Sequence, residues 1–387
     1  MTQRNIIVGG GIIGLSIAYE LAGRGHAVEL LERDRCGEKA SWAGAGILVP
    51  ANPATAIHPL EHLEALSHEV HRQWSHTLKQ QTGIDNGFRQ CGGLYLARTP
   101  GESAALIGVI GEWVERQVEH QQLNVDQLHE RFDELGQMMT QSSDIPEFVW
   151  VPGEAQFSNP DHLTALVAAC RQRGVLIHEN VGETRLEVAN SKIESVSASN
   201  QSFRGDQFFL TSGPWTQQLV QPLGLQLPMQ PVRGQIALYR FDPEMYPSIA
   251  NGPILNEGSR YLVPRRDGHV LAGSTIEEVG FECQTTEGEI AGLRRWAESL
   301  LPVLNPSTFV KAWAGLRPGT YDGFPYLGRM CDLENAFVAT GHFKGGLHLS
   351  TGTAVVMADL AEHKTPSIDL RPFSPGRAAD HQSMEIR

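Results

Sequence analysis

Paired cysteines are missing from this chain. Its 387 residues include Cys36, Cys91, Cys170, Cys283 and Cys331, an odd set, widely scattered and without CxxC spacing. That usage argues against a disulfide framework and against a structural zinc site. It fits a reducing, cytoplasmic setting. Long apolar runs are missing too: none approaches the ~20 residues a membrane helix requires. The N-terminus also lacks the basic, apolar and small-residue order of a signal peptide. No basic run occurs, and Lys+Arg 31 against Asp+Glu 44 leaves a formal net charge of −13. Such a chain repels a phosphate backbone, so nucleic acid is not an expected partner. No metal site is expected either, because the spacing of the histidines forms no convincing metal motif.

What is present begins at once. The length exceeds the usual size of a single core, so a large α/β body with a second lobe is expected. "RNIIVGGGIIGLSIAYELAGRGHAVELLERD" opens with Ile6 to Val8, an apolar burst short enough to be a buried strand. It runs directly into Gly9, Gly11 and Gly14 in GxGxxG register. The first glycine allows a tight turn, the second lets backbone approach a pyrophosphate, and the third lets the next helix pack on the strand. From Ile12 through Ile13 to Ala22 the apolar residues fall at helical spacing, so the helix N-terminus can face phosphates. A second strand, Val28 to Leu31, ends in Glu32, eighteen residues after Gly14. A carboxylate there accepts hydrogen bonds from the ribose hydroxyls of adenosine and repels a 2′-phosphate, which disfavours NADP. FAD and NAD both remain open on these residues. Ser41, Ala43, Gly44, Ala45 and Gly46 form a second small-residue loop, which tips the balance towards FAD.

Further along, residues 60–82 read as an amphipathic helix with its histidines in solvent. Helices are expected near 102–122 and 125–135. "DHLTALVAACRQRGV" is a helix with Asp161 as its cap. A hairpin is expected around 184–204. "QFFLTSGPW" is an apolar strand whose turn at Ser212 and Gly213 passes near the first glycine loop. From Pro228 the pattern alternates with period two, which predicts an antiparallel sheet with one face available to a ligand. A helix at 286–301 follows. "AFVATGHFKGGLHLSTGTAVVMADLA" then repeats the strand, glycine turn and helix logic, so the nucleotide domain is discontinuous. Arg317, in "WAGLRPGT", carries its charge out of an apolar strand end just before a Pro-Gly break.

Taken in order, the N-terminal fingerprint, "ASWAGAGIL", "PVRGQ", "RYLVPRRDGHVLAGST", "WAGLRPGTYDGFPYLG" and "GHFKGGLHL" resemble the glycine oxidase branch of the FAD-dependent D-amino acid oxidase family. The resemblance covers nearly the whole chain and is weakest at residues 100–150. It implies a Rossmann-like FAD-binding domain interleaved with an α+β substrate domain on a mixed, mostly antiparallel sheet. Residues 1–90, 146–225 and 313–387 would form the first, and 91–145 and 226–312 the second. FAD would be held non-covalently. Its contacts would include the two glycine loops, Glu32, Arg33, Val181, Ser212, Gly213 and Trp215, and, near the C-terminus, His342, Phe343, Lys344, Gly345, Gly346 and Leu347.

The implied reaction is oxidation of a small amino acid or amine by hydride transfer to the flavin, with oxygen or another acceptor completing the cycle. A substrate carboxylate calls for arginine, whose planar fork offers two parallel hydrogen bonds. Arg317 matches the family's carboxylate arginine and would also border the cofactor. Tyr261 matches the tyrosine that donates a further bond. The alternative for Arg317 is a structural salt bridge, for example to Asp322. Ile276 falls where the family lines the substrate pocket, and Lys344 and His348 depart from the usual residues. The helix after "GHFKGGLHL", from Leu347 onward, would aim its dipole at the reduced flavin. No dedicated catalytic base is expected. The competing readings are a dehydrogenase of another small or N-methylated amine and a flavin-bearing subunit of a larger assembly. A homo-oligomer is compatible with either.

Overall fold

The computed structural model describes residues 3–142 and 147–377. Its first sheet has six strands in the order Tyr326–Arg329, Ala336–Thr340, Gln207–Leu210, Arg4–Val8, Ala27–Leu31 and Leu176–His178. Neighbours run parallel except at the Tyr326–Arg329 edge. The continuous apolar strands follow from cover on both faces. Ile12–Gly23, Pro59–Thr82, Asn159–Gln172 and Gly346–Ala361 pack on one face. Strands Thr184–Ala189, Lys192–Ala198 and Gln201–Phe203 pack on the other. The expected hairpin is thus a three-stranded meander.

The second sheet has eight strands, ordered Phe309–Thr320, Met229–Arg240, His269–Gly273, Arg260–Pro264, Ile254–Glu257, Gly93–Ala97, Glu147–Val151 and Gln121–Leu123. All pairs are antiparallel except Ile254–Glu257 with Gly93–Ala97. The predicted alternation is visible in burial: Ala237, Tyr239 and Leu262 enter a core beneath the helix Glu287–Leu300, while Ile236, Tyr261 and Val263 enter a different cluster. Glu147–Val151 lies in this sheet although its sequence position placed it with the nucleotide domain. Phe309–Thr320 belongs to it along its whole length, across the expected boundary at 312/313. An apolar strand does not announce which sheet it will pair with.

Other expectations are corrected in detail. The helix predicted over 102–122 is Pro100–Glu115, capped by Thr99 and Glu102 in a reciprocal box, and Gln121–Leu123 is a strand. The next helix is longer than expected, Val125–Ser142, kinked at Asp133. Asp161 lies in the first turn of Asn159–Gln172, whose cap position is Ser158. Among the described residues, no helix is long and apolar enough to cross a membrane.

Candidate functional site

The first glycine loop is shaped by close approach. Gly9 has φ 114, and a Cβ there would meet the Thr211 carbonyl oxygen at 2.6 Å. A Cβ on Gly14 would lie 2.0 Å from the Gly9 carbonyl oxygen, so that glycine seats the helix on the strand end. Gly11 has only Ser41 Oγ within reach, at 3.3 Å. The helix Ile12–Gly23 has no side-chain cap, although the Ile12 amide donates to Ser41 Oγ at 2.9 Å. Its first turn therefore faces the cavity with amides and a positive dipole end. Glu32 stands at the tip of the neighbouring strand. Its carboxylate accepts from the amides of Gly10 and Asp34, at 2.7 and 2.9 Å, and lines the same cavity.

That cavity, about 1110 Å³, runs between the two sheets. The sequence-predicted Gly9, Gly11, Ile12, Ile13, Glu32, Arg33 and Ser41 line one end. Ala43, Gly44, Ala45 and Gly46 continue the wall, and Ser212, Gly213 and Trp215 contribute from the strand turn. His342, Phe343, Lys344, Gly345, Gly346, Leu347 and His348 close it beside Tyr261 and Arg317. Three predicted residues lie elsewhere. Gly14 packs behind the loop. Val181 is buried next to Glu32, to whose carbonyl its amide donates at 3.1 Å. Ile276 is 47% exposed and off the cavity wall, because the chain turns outward after Ser274 and Thr275.

Two cross-strand glycines make room for the polar groups at the substrate end. A Cβ on Gly234 would lie 2.1 Å from Arg317 Nη2, so the guanidinium rests against bare backbone. Gly273 pairs with Tyr261, and a Cβ there would meet the phenol ring at 2.8 Å. Arg317 donates to Ser274 Oγ at 2.8 Å and to the Thr275 carbonyl at 3.1 Å. Among the described residues no carboxylate pairs with it. Asp322 is taken by Arg377 at 2.7 Å, and Glu277 by Arg233 at 2.6 Å. Burial lowers the Arg317 pKa and raises that of Tyr261, and the nearby guanidinium pulls the phenol back down. Gly234 was missed in sequence, although a glycine inside a strand is a standing signal of close approach.

At the C-terminal turn the helix begins at Gly346, one residue before the predicted start, and has no side-chain cap. Lys344 sits beside it, its pKa lowered by burial and by Arg317. His348 is 4% exposed, with Nε2 buried and unpartnered. Its ring lies 6.4 Å from that of His71, whose Nε2 is 2.9 and 2.8 Å from the carbonyls of Leu347 and His348. His71 is fully buried, which corrects the reading of the 60–82 helix as one with solvated histidines. His71 stands three residues before Trp74 on the buried face of the helix, so its position and not its residue type decides its exposure.

An acid at a strand tip, two uncapped helix N-termini on one long cavity and an unpartnered imidazole at its far end fit a dinucleotide with a redox-active head. They define an oxidoreductase that holds such a cofactor between a Rossmann-type sheet and a substrate sheet. Residues 4–360 match the DAO family, FAD dependent oxidoreductase, and the chain belongs to that family. The glycine oxidase of Pseudomonas aeruginosa is 33% identical over 377 residues, covering 97% of this chain and 99% of that protein. The crystal structure of glycine oxidase from Geobacillus kaustophilus superposes with a TM-score of 0.84 at 30% identity, covering 96% of this chain and 98% of that one. Iminodiacetate oxidase from Chelativorans shares the fold, with a TM-score of 0.83 at 23% identity and coverage of 96% and 99%.

Proposed function

We propose that the protein oxidises a small amino acid, glycine, sarcosine or a D-amino acid, to an imine that hydrolyses to an oxo acid and ammonia or a primary amine. Bound FAD would supply the acceptor for a hydride from the carbon bearing the amine and the route of the electrons to oxygen, giving hydrogen peroxide. The segments that build the six-stranded sheet bind the cofactor, and the eight-stranded sheet positions the substrate. Gly11, the Ile12 amide end and Glu32 hold the dinucleotide end. The Ala43–Gly46 loop and the Gly346 helix start hold the flavin end. Arg317 grips the substrate carboxylate and Tyr261 donates to it. Lys344 adds positive charge on the same side. A reducing, cytoplasmic setting accords with its unpaired cysteines.

The observation that carries this reading is Arg317: a partly buried guanidinium on the cavity wall, seated by Gly234, held by a hydroxyl and carbonyls, with no carboxylate among the described residues paired with it. Removing one partner of a buried charged pair costs about 3–5 kcal/mol. Arg317→Ala is therefore expected to retain bound FAD and lose turnover by roughly a hundredfold or more. The visible spectrum of the purified variant and its kcat/KM for glycine check this. Loss of the flavin instead makes Arg317 a structural residue and removes the basis for the substrate assignment.

A further inference from the structure

The loop from Ser41 to Gly46 spans the cavity from its phosphate end to its substrate end. Ser41 Oγ is bound by the Ile12 amide, and Ala45 lies in the same apolar cluster as Tyr261. Its carbonyls are drawn to the protein side by groups from separate parts of the chain. Asn159 Nδ2 donates to the Ser41 carbonyl at 2.9 Å, Trp313 Nε1 to that of Ala43 at 3.0 Å, and the Phe157 amide to that of Gly46 at 3.0 Å. The fourth group is charged. Arg265 Nη2 donates to the Ala45 carbonyl at 2.7 Å, and its Nη1 donates to Gln156 Oε1.

An arginine is a surplus choice for holding one carbonyl and one amide oxygen. No carboxylate pairs with Arg265 among the described residues, and Asp267, two positions on, is held by His269 at 2.8 Å. Behind it stands a second guanidinium, Arg89, which donates to the Pro264 carbonyl at 2.8 Å. Gln156, fully buried, donates to that same carbonyl at 3.1 Å. Burial and Arg89 push the Arg265 pKa down to about 10, so it stays charged at neutral pH. A cation bound to a carbonyl polarises that peptide and strengthens its N–H as a donor. Here the polarised peptide is Ala45–Gly46, on the cavity wall.

We propose that Arg265 is a positioning residue for the bound flavin: it fixes the Ala45 carbonyl so that the loop keeps its amide edge to the cavity, and its unneutralised charge favours the reduced, more negative form. This rests on FAD occupying the cavity and is independent of which amine is the substrate. The test uses the purified holoenzyme and two variants, Arg265→Met and Arg265→Lys. Folding is followed by far-UV circular dichroism, FAD affinity by release of flavin fluorescence, and midpoint potential by equilibration with a reference dye.

Arg265→Met is expected to weaken FAD binding and to shift the oxidised-to-reduced ratio at fixed potential about tenfold towards oxidised, about 30 mV for a two-electron couple. Arg265→Lys keeps the charge and loses the fork, so it is expected to restore most of the potential while still binding FAD less tightly. An Arg265→Met protein that is only less heat-stable, with wild-type affinity and potential, overturns the proposal. If that variant does not fold, Arg265→Lys decides. Weakened FAD affinity with the potential largely kept upholds the proposal, and an unchanged affinity overturns it.

Discussion

Glu154 shows how one side chain can set a pH response away from the cavity. It is 1% exposed and accepts hydrogen bonds from the Tyr95 hydroxyl at 2.8 Å and from Asn256 Nδ2 at 3.2 Å. Burial outweighs both donors and pushes its pKa up to about 7. The folded chain therefore holds this proton more tightly than the unfolded one, and ionising it costs stability as pH rises from about 4.5 through 7. Glu154→Gln is expected to remove on the order of 2–3 kcal/mol of that slope. Urea unfolding midpoints of the two proteins from pH 5 to 8 check it, and parallel curves would contradict it. Glu64, on the cavity wall, is also pushed up to about 7 by burial and leaves part of the slope in the variant. At this scale the sequence was uneven. Arg317 and Tyr261 stand in recognisable motifs, whereas Gly234 matters through a guanidinium 83 positions away that its missing side chain admits. Ile276 sat in a motif, but its direction depended on a turn that spacing does not encode.

The helix Pro59–Thr82 carries the clearest case at the level of an element. Its buried face holds Leu63, Trp74 and Leu78 as the periodicity demands, and it holds His71 as well. Burial pushes the His71 imidazole down to about 4 despite its two carbonyl partners, and His162 and His342 down to about 3. The unfolded chain takes up these protons first, so stability is full above about 6.5 and is lost as pH falls towards 4. His71→Leu is expected to cost about 1–3 kcal/mol at pH 7 through the lost hydrogen bonds. It should also show a smaller drop in Tm between pH 7 and pH 5 than the wild type. An equal drop in both would place the acid sensitivity elsewhere. Element existence was legible from period and caps, while ends were not. The predicted helix over 102–122 stops at Glu115 because Arg116 and Gln117 leave the helix, with Gln117 at φ 49.

Across the whole molecule, the two sheets contribute different halves of one chemistry. The parallel sheet brings glycine turns and helix ends to the cavity, and the antiparallel sheet brings Arg317 and Tyr261 from strands that pair through glycines. The N-terminal unit was legible because strand, loop, helix and acid are contiguous in about thirty residues. The junction was not, because Arg265 reaches Ala45 and Trp313 reaches Ala43 only after strands far apart in the chain have paired. The central claim is that the cavity oxidises an amine recognised by its carboxylate. Anaerobic addition of glycine, sarcosine or D-alanine to the flavin-loaded protein, set against methylamine, tests it most directly through the visible flavin absorbance. Bleaching by a carboxylate-bearing amine, roughly a hundredfold faster than by methylamine, is the predicted result. Equal bleaching by methylamine, or none by any amino acid of the panel, would contradict it.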